Sequence, residues 1–259
     1  MSATTANSSL LLVETVEQVR SAVSAARQRG QSVGLVPTMG ALHAGHVSLI
    51  EAARRDCECV IVSIFVNPTQ FGPNEDFQRY PRPLETDLEL CRQHGVDLVF
   101  HPTPATMYPA GFSSFVEVEG LSDVWEGRSR PGHFRGVSTV VLKLLTICLP
   151  DVAYFGQKDF QQQAIIRRMV TDLNLPSEIR VCPTIREPDG LAMSSRNVYL
   201  SDSERKTALA LSQTLHWAAE HLSAGDADLP RVRTVMQQML RATPGLELDY
   251  ATIVDSATL

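Results

Sequence analysis

Two histidines, His43 and His46, stand three residues apart at the end of the run Pro37-Thr38-Met39-Gly40-Ala41-Leu42-His43-Ala44-Gly45-His46. Imidazoles at that spacing share one face if the first helical turn has formed. The free N–H groups and positive dipole end of a helix N-terminus suit a phosphate. Histidines there can donate hydrogen bonds to phosphate oxygens as charge builds on them. A capped turn with two solvated histidines is the alternative reading. A second group, Gly156-Gln157-Lys158-Asp159, offers a mobile point charge for phosphate and a carboxylate for ribose hydroxyls. Here the alternative is an N-cap aspartate beside a solvated lysine. A third group, Met193-Ser194-Ser195-Arg196-Asn197, puts two hydroxyls beside an arginine, a set able to wrap a triphosphate or to form an ordinary serine-rich loop. Amides complete the inventory: Gln70 behind an apolar run, and the triplet Gln161, Gln162, Gln163, one of which must point inward and can grip a hydroxyl or carboxylate. Residues 128–136, with three arginines and a histidine among glycines, either face phosphates or form a solvated loop. No cysteine or serine adjoins a histidine with an orienting acid, so a covalent relay is not expected.

The elements that carry these groups alternate. Thr15-x-x-Gln18 reads as a capping box opening a helix with Val16, Val19, Val23 and Ala26 inside, stopped at Gly30. Residues 33–36 read as a strand and 47–57 as an amphipathic helix. Residues 60–66 form a continuous apolar run, as a strand buried on both faces should. It ends in the polar loop 67–73, and the carboxyl ends of strands are where ligands bind in open α/β sheets. A helix from Pro83 to Gly95, a short strand at 97–100, an alternating strand at 115–119 and an apolar helix at 137–149 with a snorkelling Lys143 follow. Residues 152–155 read as a strand, 160–173 as a helix and 178–182 as the closing strand. Such alternation predicts an α/β fold with a parallel sheet and right-handed crossovers. A loop at 183–190 divides a domain of residues 1–184 from a small α+β unit of 185–259. That unit comprises a capped helix from Ser201 with Leu209, Leu211, Leu215 and Ala218 inward, a second helix at 228–241 and a strand at 246–254.

With 259 residues the chain can bury a substantial core, and its 44% hydrophobic and 20% charged composition is that of a soluble enzyme. A net charge of −6 speaks against nucleic acid as partner. Five cysteines without framework spacing read as reduced core thiols in a reducing compartment. No apolar run reaches the ~18 residues of a membrane span. Residues 1–9, small and polar, read as a frayed tail.

Four blocks together resemble pantothenate synthetases (pantoate–β-alanine ligases) of the nucleotidylyltransferase superfamily: the 37–46 run, Phe65-Val66-Asn67-Pro68-Thr69-Gln70-Phe71, Tyr154-Phe155-Gly156-Gln157-Lys158-Asp159-Phe160-Gln161-Gln162, and Asp189-Gly190-Leu191-Ala192-Met193-Ser194-Ser195-Arg196-Asn197. They occur in family order and cover nearly the whole chain. Ala44 stands where many members carry glutamate, and family members commonly continue beyond Thr258-Leu259.

The resemblance implies a Rossmann-type ATP- and pantoate-binding domain with helices on both sheet faces. It also implies a mobile C-terminal lid, a cytoplasmic homodimer, and ATP with Mg²⁺. Pantoate would be activated as its adenylate with release of pyrophosphate; β-alanine would then displace AMP. On this resemblance His43, His46, Lys158 and Arg196 are catalytic, His46 as proton donor. The ATP site would draw on residues 39–46 (Met39, Gly40, Ala41, Leu42, His43, Ala44, Gly45, His46), on Gly156, Gln157, Lys158 and Asp159, on Ile185, and on Met193, Ser194, Ser195 and Arg196. Gln70, Gln162 and Met39 would hold pantoate, and Gln70 would border β-alanine. No protein-borne metal site is expected, Mg²⁺ being held by ATP oxygens and water. Two other functions are compatible with part of this set. A nucleotidylyltransferase releasing a stable nucleotide conjugate has little use for Gln70 and Gln162. A non-catalytic nucleotide sensor has little use for both Lys158 and Arg196.

Overall fold

The computed structural model describes residues 10–225, 228–256 and 258–259, so the expected tail at 1–9 lies outside the described residues. Six parallel strands form one sheet in the order β1-β4-β3-β2-β5-β6: β1 Leu11–Val13, β2 Val33–Thr38, β3 Cys59–Ile64, β4 Leu98–Phe100, β5 Val152–Gly156 and β6 Glu178–Cys182. The central strands alternate their side chains between two cores. Val33, Leu35 and Ile61 enter one core with helices α1 (Val16–Gln28), α6 (His133–Cys148) and α7 (Phe160–Asp172). Val36, Val60 and Val62 enter the other with α2 (Ala44–Asp56) and α3 (Leu84–Gln93). The chain leaves β2 towards β3 in one direction and returns beside it as β5 in the other. The carboxyl ends of β2 and β5 therefore form the topological switch point, where crevices open in such sheets.

The local reasons match the sequence where the signal is short-range. Thr15 Oγ1 accepts from Gln18 N and Gln18 Oε1 from Thr15 N, closing the capping box on α1. β3 is buried at all six positions, as its unbroken apolar run requires. All five cysteines are buried and free. Lys143 lays its ammonium over the rings of Phe112 and Tyr108.

Elsewhere the structure departs from expectation. Leu11–Val13, unassigned from sequence, pairs with β4 as an edge strand. Residues 115–119 are not a strand. Val116 and Val118 do face the core, but the backbone lies against α6, with Val116 N donating to Thr139 Oγ1. The helix expected at 137 starts at His133, because Gly132 in a left-handed conformation (φ 82°) turns the chain into it. Two short helices precede it, α4 (Pro104–Met107) and α5 (Glu126–Ser129).

In the C-terminal segment, α8 (Asp202–Ser223) and α9 (Leu229–Arg241) pack around Ala218, Val232 and Met236. The Ser201–Glu204 capping box is present. Leu211 and Leu215 do share a helical face, but that face is turned to solvent, at 50% and 52% exposure. Ala218 is buried as expected, and the other buried positions are the small residues Ser212 and Thr214. The strand expected at 246–254 is unpaired chain, with Ala251 O accepting from Gln237 Nε2 and Ile253 packed on the small core.

Candidate active site

The His43–His46 pair is fixed by its own backbone. His43 is the N-cap of α2, and its Nδ1 accepts from Gly45 N at 3.1 Å. His46, one turn in, accepts at Nδ1 from His43 N at 3.3 Å. A backbone N–H can only donate, so both rings carry their proton on Nε2. The ring centroids are 4.1 Å apart. Burial, and then the Lys158 cation, lowers the His43 pKa to about 4. Burial, then His43 and Lys158, lowers that of His46 to about 3. Without a bound anion the two are neutral Nε2–H donors, the form that stabilises developing negative charge by hydrogen bonding.

Several of the backbone amides around them are taken. Gly40 N donates to Thr38 Oγ1, and Ala41 N and Leu42 N donate to the Asp87 carboxylate. The loop therefore offers fewer free N–H groups than its glycines suggest, and the Nε2–H groups of the two histidines are side-chain donors beside it. Ala44 is exposed, and Gly40 lines a separate cavity behind the loop.

Two adjoining cavities meet at these histidines. One, of about 190 Å³, has an apolar wall from Pro37, Met39, Phe65 and Phe155 and from Val137, Val140, Val141 and Leu144 of α6. Gln70 and Gln162 line it, as do Lys158, Asp159, Ser194, Ser195 and Arg196. The other, of about 120 Å³, is bounded by Gly45, Gly156, Ile185 and Met193 and shares His43, His46, Lys158, Asp159 and Gln162 with the first. The groups singled out in sequence thus converge, apart from exposed Ala44 and Gln157 and the Gly40–Leu42 backbone.

Each side chain has a definite posture. Lys158 Nζ donates to Met193 O at 3.3 Å across the second cavity. Asp159 is the N-cap residue of α7, its backbone O accepting from Gln163 N, but its carboxylate makes no capping bond and lines the cleft. Of the glutamine triplet, Gln161 and Gln163 are buried in the protein, Gln161 bridging to the backbone of Leu121, Val124 and Glu126. Gln162 alone faces the cleft. Arg196 forms a bidentate pair with Asp76 at 2.8 and 2.9 Å and lies over Tyr80 and Phe71. Ser195 Oγ donates to Ala41 O.

Gln70 has its orientation imposed. Asn67 Oδ1 accepts from Thr69 N and Tyr108 OH, which turns Asn67 Nδ2 towards Gly136 O and Gln70 Oε1. Gln70 Nε2 is left to face the cleft, 3.3 Å from Met39 Sδ. The 128–136 segment does not offer its arginines to the cleft. Arg130 binds Glu75 and Glu126, and His133 Nδ1 sits 2.8 Å from Gln70 O, bracing the loop from behind. Arg135 stacks on Phe115. Sequence reading passed over Asn67, Asp76 and Asp87 as individual residues. The readable signal for Asp87 was an acid among Leu84, Leu88 and Cys91 on the apolar side of α3.

A parallel sheet with a cleft lined by His43, His46, Lys158 and Arg196 and an amide-lined apolar pocket at its switch point is the layout of an α/β enzyme. The family model described as pantoate-beta-alanine ligase matches residues 11–259. A pantothenate synthetase of Moorella thermoacetica is 57% identical over 96% of this chain and 88% of its own length. One from Pelotomaculum thermopropionicum is 52% identical over 94% and 86%. The crystal structure of a Thermus thermophilus pantothenate synthetase superposes with a TM-score of 0.91 at 48% identity, covering 96% of this chain and 88% of that one. A Francisella tularensis pantoate-beta-alanine ligase structure, complexed with beta-gamma ATP and beta-alanine, gives 0.75 at 39% identity over 90% and 87%. The chain belongs to the pantoate-beta-alanine ligase family and is a ligase of pantothenate biosynthesis.

Proposed function

We propose that this chain condenses pantoate with β-alanine at the expense of ATP, through an enzyme-bound pantoyl adenylate, releasing pyrophosphate and then AMP. The observation that carries this reading is the two-part cleft, an apolar amide-lined pocket and a cationic one sharing His43 and His46. The complex of the Francisella relative with a nucleotide and β-alanine supports both as substrates.

In this reading the methyl groups of pantoate lie on the Met39–Val140–Val141 wall, and Gln70 Nε2 and Gln162 hold its oxygens. The triphosphate crosses towards Lys158, Ser194, Ser195 and Arg196, with Mg²⁺ entering as part of the MgATP substrate. Ribose lies by Gly156 and Asp159 and adenine by Ile185. The pantoate carboxylate attacks the α-phosphorus in line, and the protein contributes position and charge stabilisation. The Nε2–H groups of His43 and His46 meet the oxygens on which charge builds. β-Alanine, entering beside Gln70, then attacks the acyl carbon, and AMP leaves.

Residues 185–259 act as a lid on the 1–184 domain, hinged near 183–190. Three contacts support this: Arg196 with Asp76, Ser195 with Ala41, and Tyr199 OH with Arg79 O. Such a lid shields the adenylate from water. To release AMP, Arg196 exchanges Asp76 for phosphate and back. The chain works as a cytoplasmic homodimer, as its resemblance to the family implies.

Incubation with ATP, pantoate and β-alanine tests the reading. It should yield AMP and pantothenate in equal amounts. A stable nucleotide conjugate in place of an amide would assign the chain to another nucleotidyl transfer, and binding of ATP without turnover would leave a sensor.

A further inference from the structure

Asp87 lies on the buried face of α3, 1% exposed, and no cation among the described residues bonds to it. Burial pushes its carboxyl above the usual range, against the opposing pull of two amides. Those amides are the two that lead into His43: Oδ2 accepts from Ala41 N at 2.8 Å and Oδ1 from Leu42 N at 2.7 Å. Both oxygens are used, each on a successive peptide group. Ala41 holds φ 49°, a left-handed conformation that a residue with a Cβ adopts only when its surroundings impose it. Gly40 beside it holds φ 83°, and a Cβ there would lie 3.0 Å from Asp87 Oδ2 and from Ile64 Cγ2. The loop is thus drawn onto the carboxylate, and its far side is held by Ser195 Oγ on Ala41 O.

We propose that Asp87 is the positioning residue of the histidine pair: its two-pronged acceptance fixes the 41 and 42 peptides, which set the N-cap geometry of His43 and, through the His43 N–H, the ring of His46. Asp87 does not touch the cleft cavities; it acts through the backbone. The geometry explains a choice of residue that α3 alone does not. A leucine would fill the apolar face but leave two buried N–H groups unpaired. An asparagine would offer one oxygen and turn its NH₂ against the second N–H. The kinetic consequence rests on the proposed ligase reaction; the structural one does not.

Three readouts test it. In the unaltered protein, hydrogen exchange at the Ala41 and Leu42 amides should be at least about tenfold slower than at exposed loop amides. In Asp87→Asn that protection should fall, and the imidazole ¹⁵N signals of His43 and His46 should lose the pattern of an accepting Nδ1 and a protonated Nε2. Turnover should drop on the order of 10²-fold, the scale of a misplacement of about 1 Å, with the pantoate KM nearly unchanged because its pocket is built elsewhere. Free exchange at both amides in the unaltered protein overturns the proposal, whether or not Asp87→Asn folds. So does a folded Asp87→Asn with unchanged histidine signals, or with turnover within about twofold of the parent. If the parent itself makes no pantothenate, the ligase reading fails while the exchange and ¹⁵N results still decide the role of Asp87.

Discussion

Gly136→Ala is the smallest change that should displace Gln70, the proposed pantoate contact. Gly136 lies in α6, where it faces the turn Pro68–Gln70, and a Cβ there would sit 2.3 Å from Thr69 O, 2.6 Å from Thr69 C and 2.8 Å from Gln70 Cα. Carbon and carbonyl oxygen relax near ~3.3 Å. The turn must therefore retreat by about 1 Å, taking Gln70 with it and stretching the bond from Asn67 Nδ2 to Gly136 O, already 3.3 Å. Overpacking of this kind costs about 1–3 kcal/mol, offset by the ~1 kcal/mol that alanine gains over glycine inside a helix. The melting temperature should fall by no more than several degrees, at roughly 2–4 °C per kcal/mol for a chain of this size. Misplacement of Gln70 should lower kcat/KM for pantoate on the order of 10²-fold, while the KM for ATP changes little. Steady-state kinetics with each substrate varied in turn, beside a melting curve, separates the effects. Gln70→Ala should act in the same direction without the loss in stability. A Gly136→Ala protein with kcat/KM for pantoate within about threefold of the parent, or with equal losses for both substrates, would refute the placement of Gln70 and the tightness of the α6 contact.

His46→Ala should lose roughly 10²–10³ in turnover, the scale for one donor aimed at transition-state charge; near-normal kcat would return the pair to a capping role. His43→Ala should lose a similar amount, and the double variant should lose less than the product of the two, since in the proposed reaction both rings act on one phosphate. The pair also predicts acid sensitivity. Both pKa values lie below the ordinary 6.5, so the folded chain binds fewer protons than the unfolded one between there and about 4 for His43 and about 3 for His46. The stability from two neutral rings is therefore complete above pH 6.5 and is lost as pH falls through that window. Lys158→Met removes one cause and should move both titrations upward, leaving a smaller acid loss. Imidazole ¹⁵N titration and melting curves against pH check this, and unmoved titrations would contradict the nearness of Lys158.

Periodicity and capping were legible because they are local. The Thr15 and Ser201 capping boxes, the alternating helices and the all-buried β3 follow from side chains within a few residues of one another. What sequence could not settle was the partner across space. Val116 and Val118 alternate as a strand does, and both lie half-buried against the core, yet the neighbouring surface is a helix. Leu211 and Leu215 define a face, but the packing of α9 against small residues decides which face is inside. In the site, the identity of the groups was legible and their commitments were not. Arg130 read as facing either phosphate or solvent and is held by Glu75 and Glu126; the loop amides looked free, and those of Ala41 and Leu42 are taken by Asp87. One inward glutamine was expected of the 161–163 triplet. Two are buried as structural amides, and the third, Gln162, meets the cleft.

The central claim is that the acid is activated by ATP before the amine arrives. The most direct measurement is a rapid quench after mixing the protein with ATP and pantoate alone, with pyrophosphate and bound adenylate assayed and positional isotope exchange followed in the ATP. The account predicts a single stoichiometric burst of pyrophosphate, a matching amount of pantoyl adenylate on the protein, and isotope scrambling that needs pantoate but no β-alanine. Pyrophosphate that forms only when β-alanine is present, with no scrambling in its absence, would contradict it.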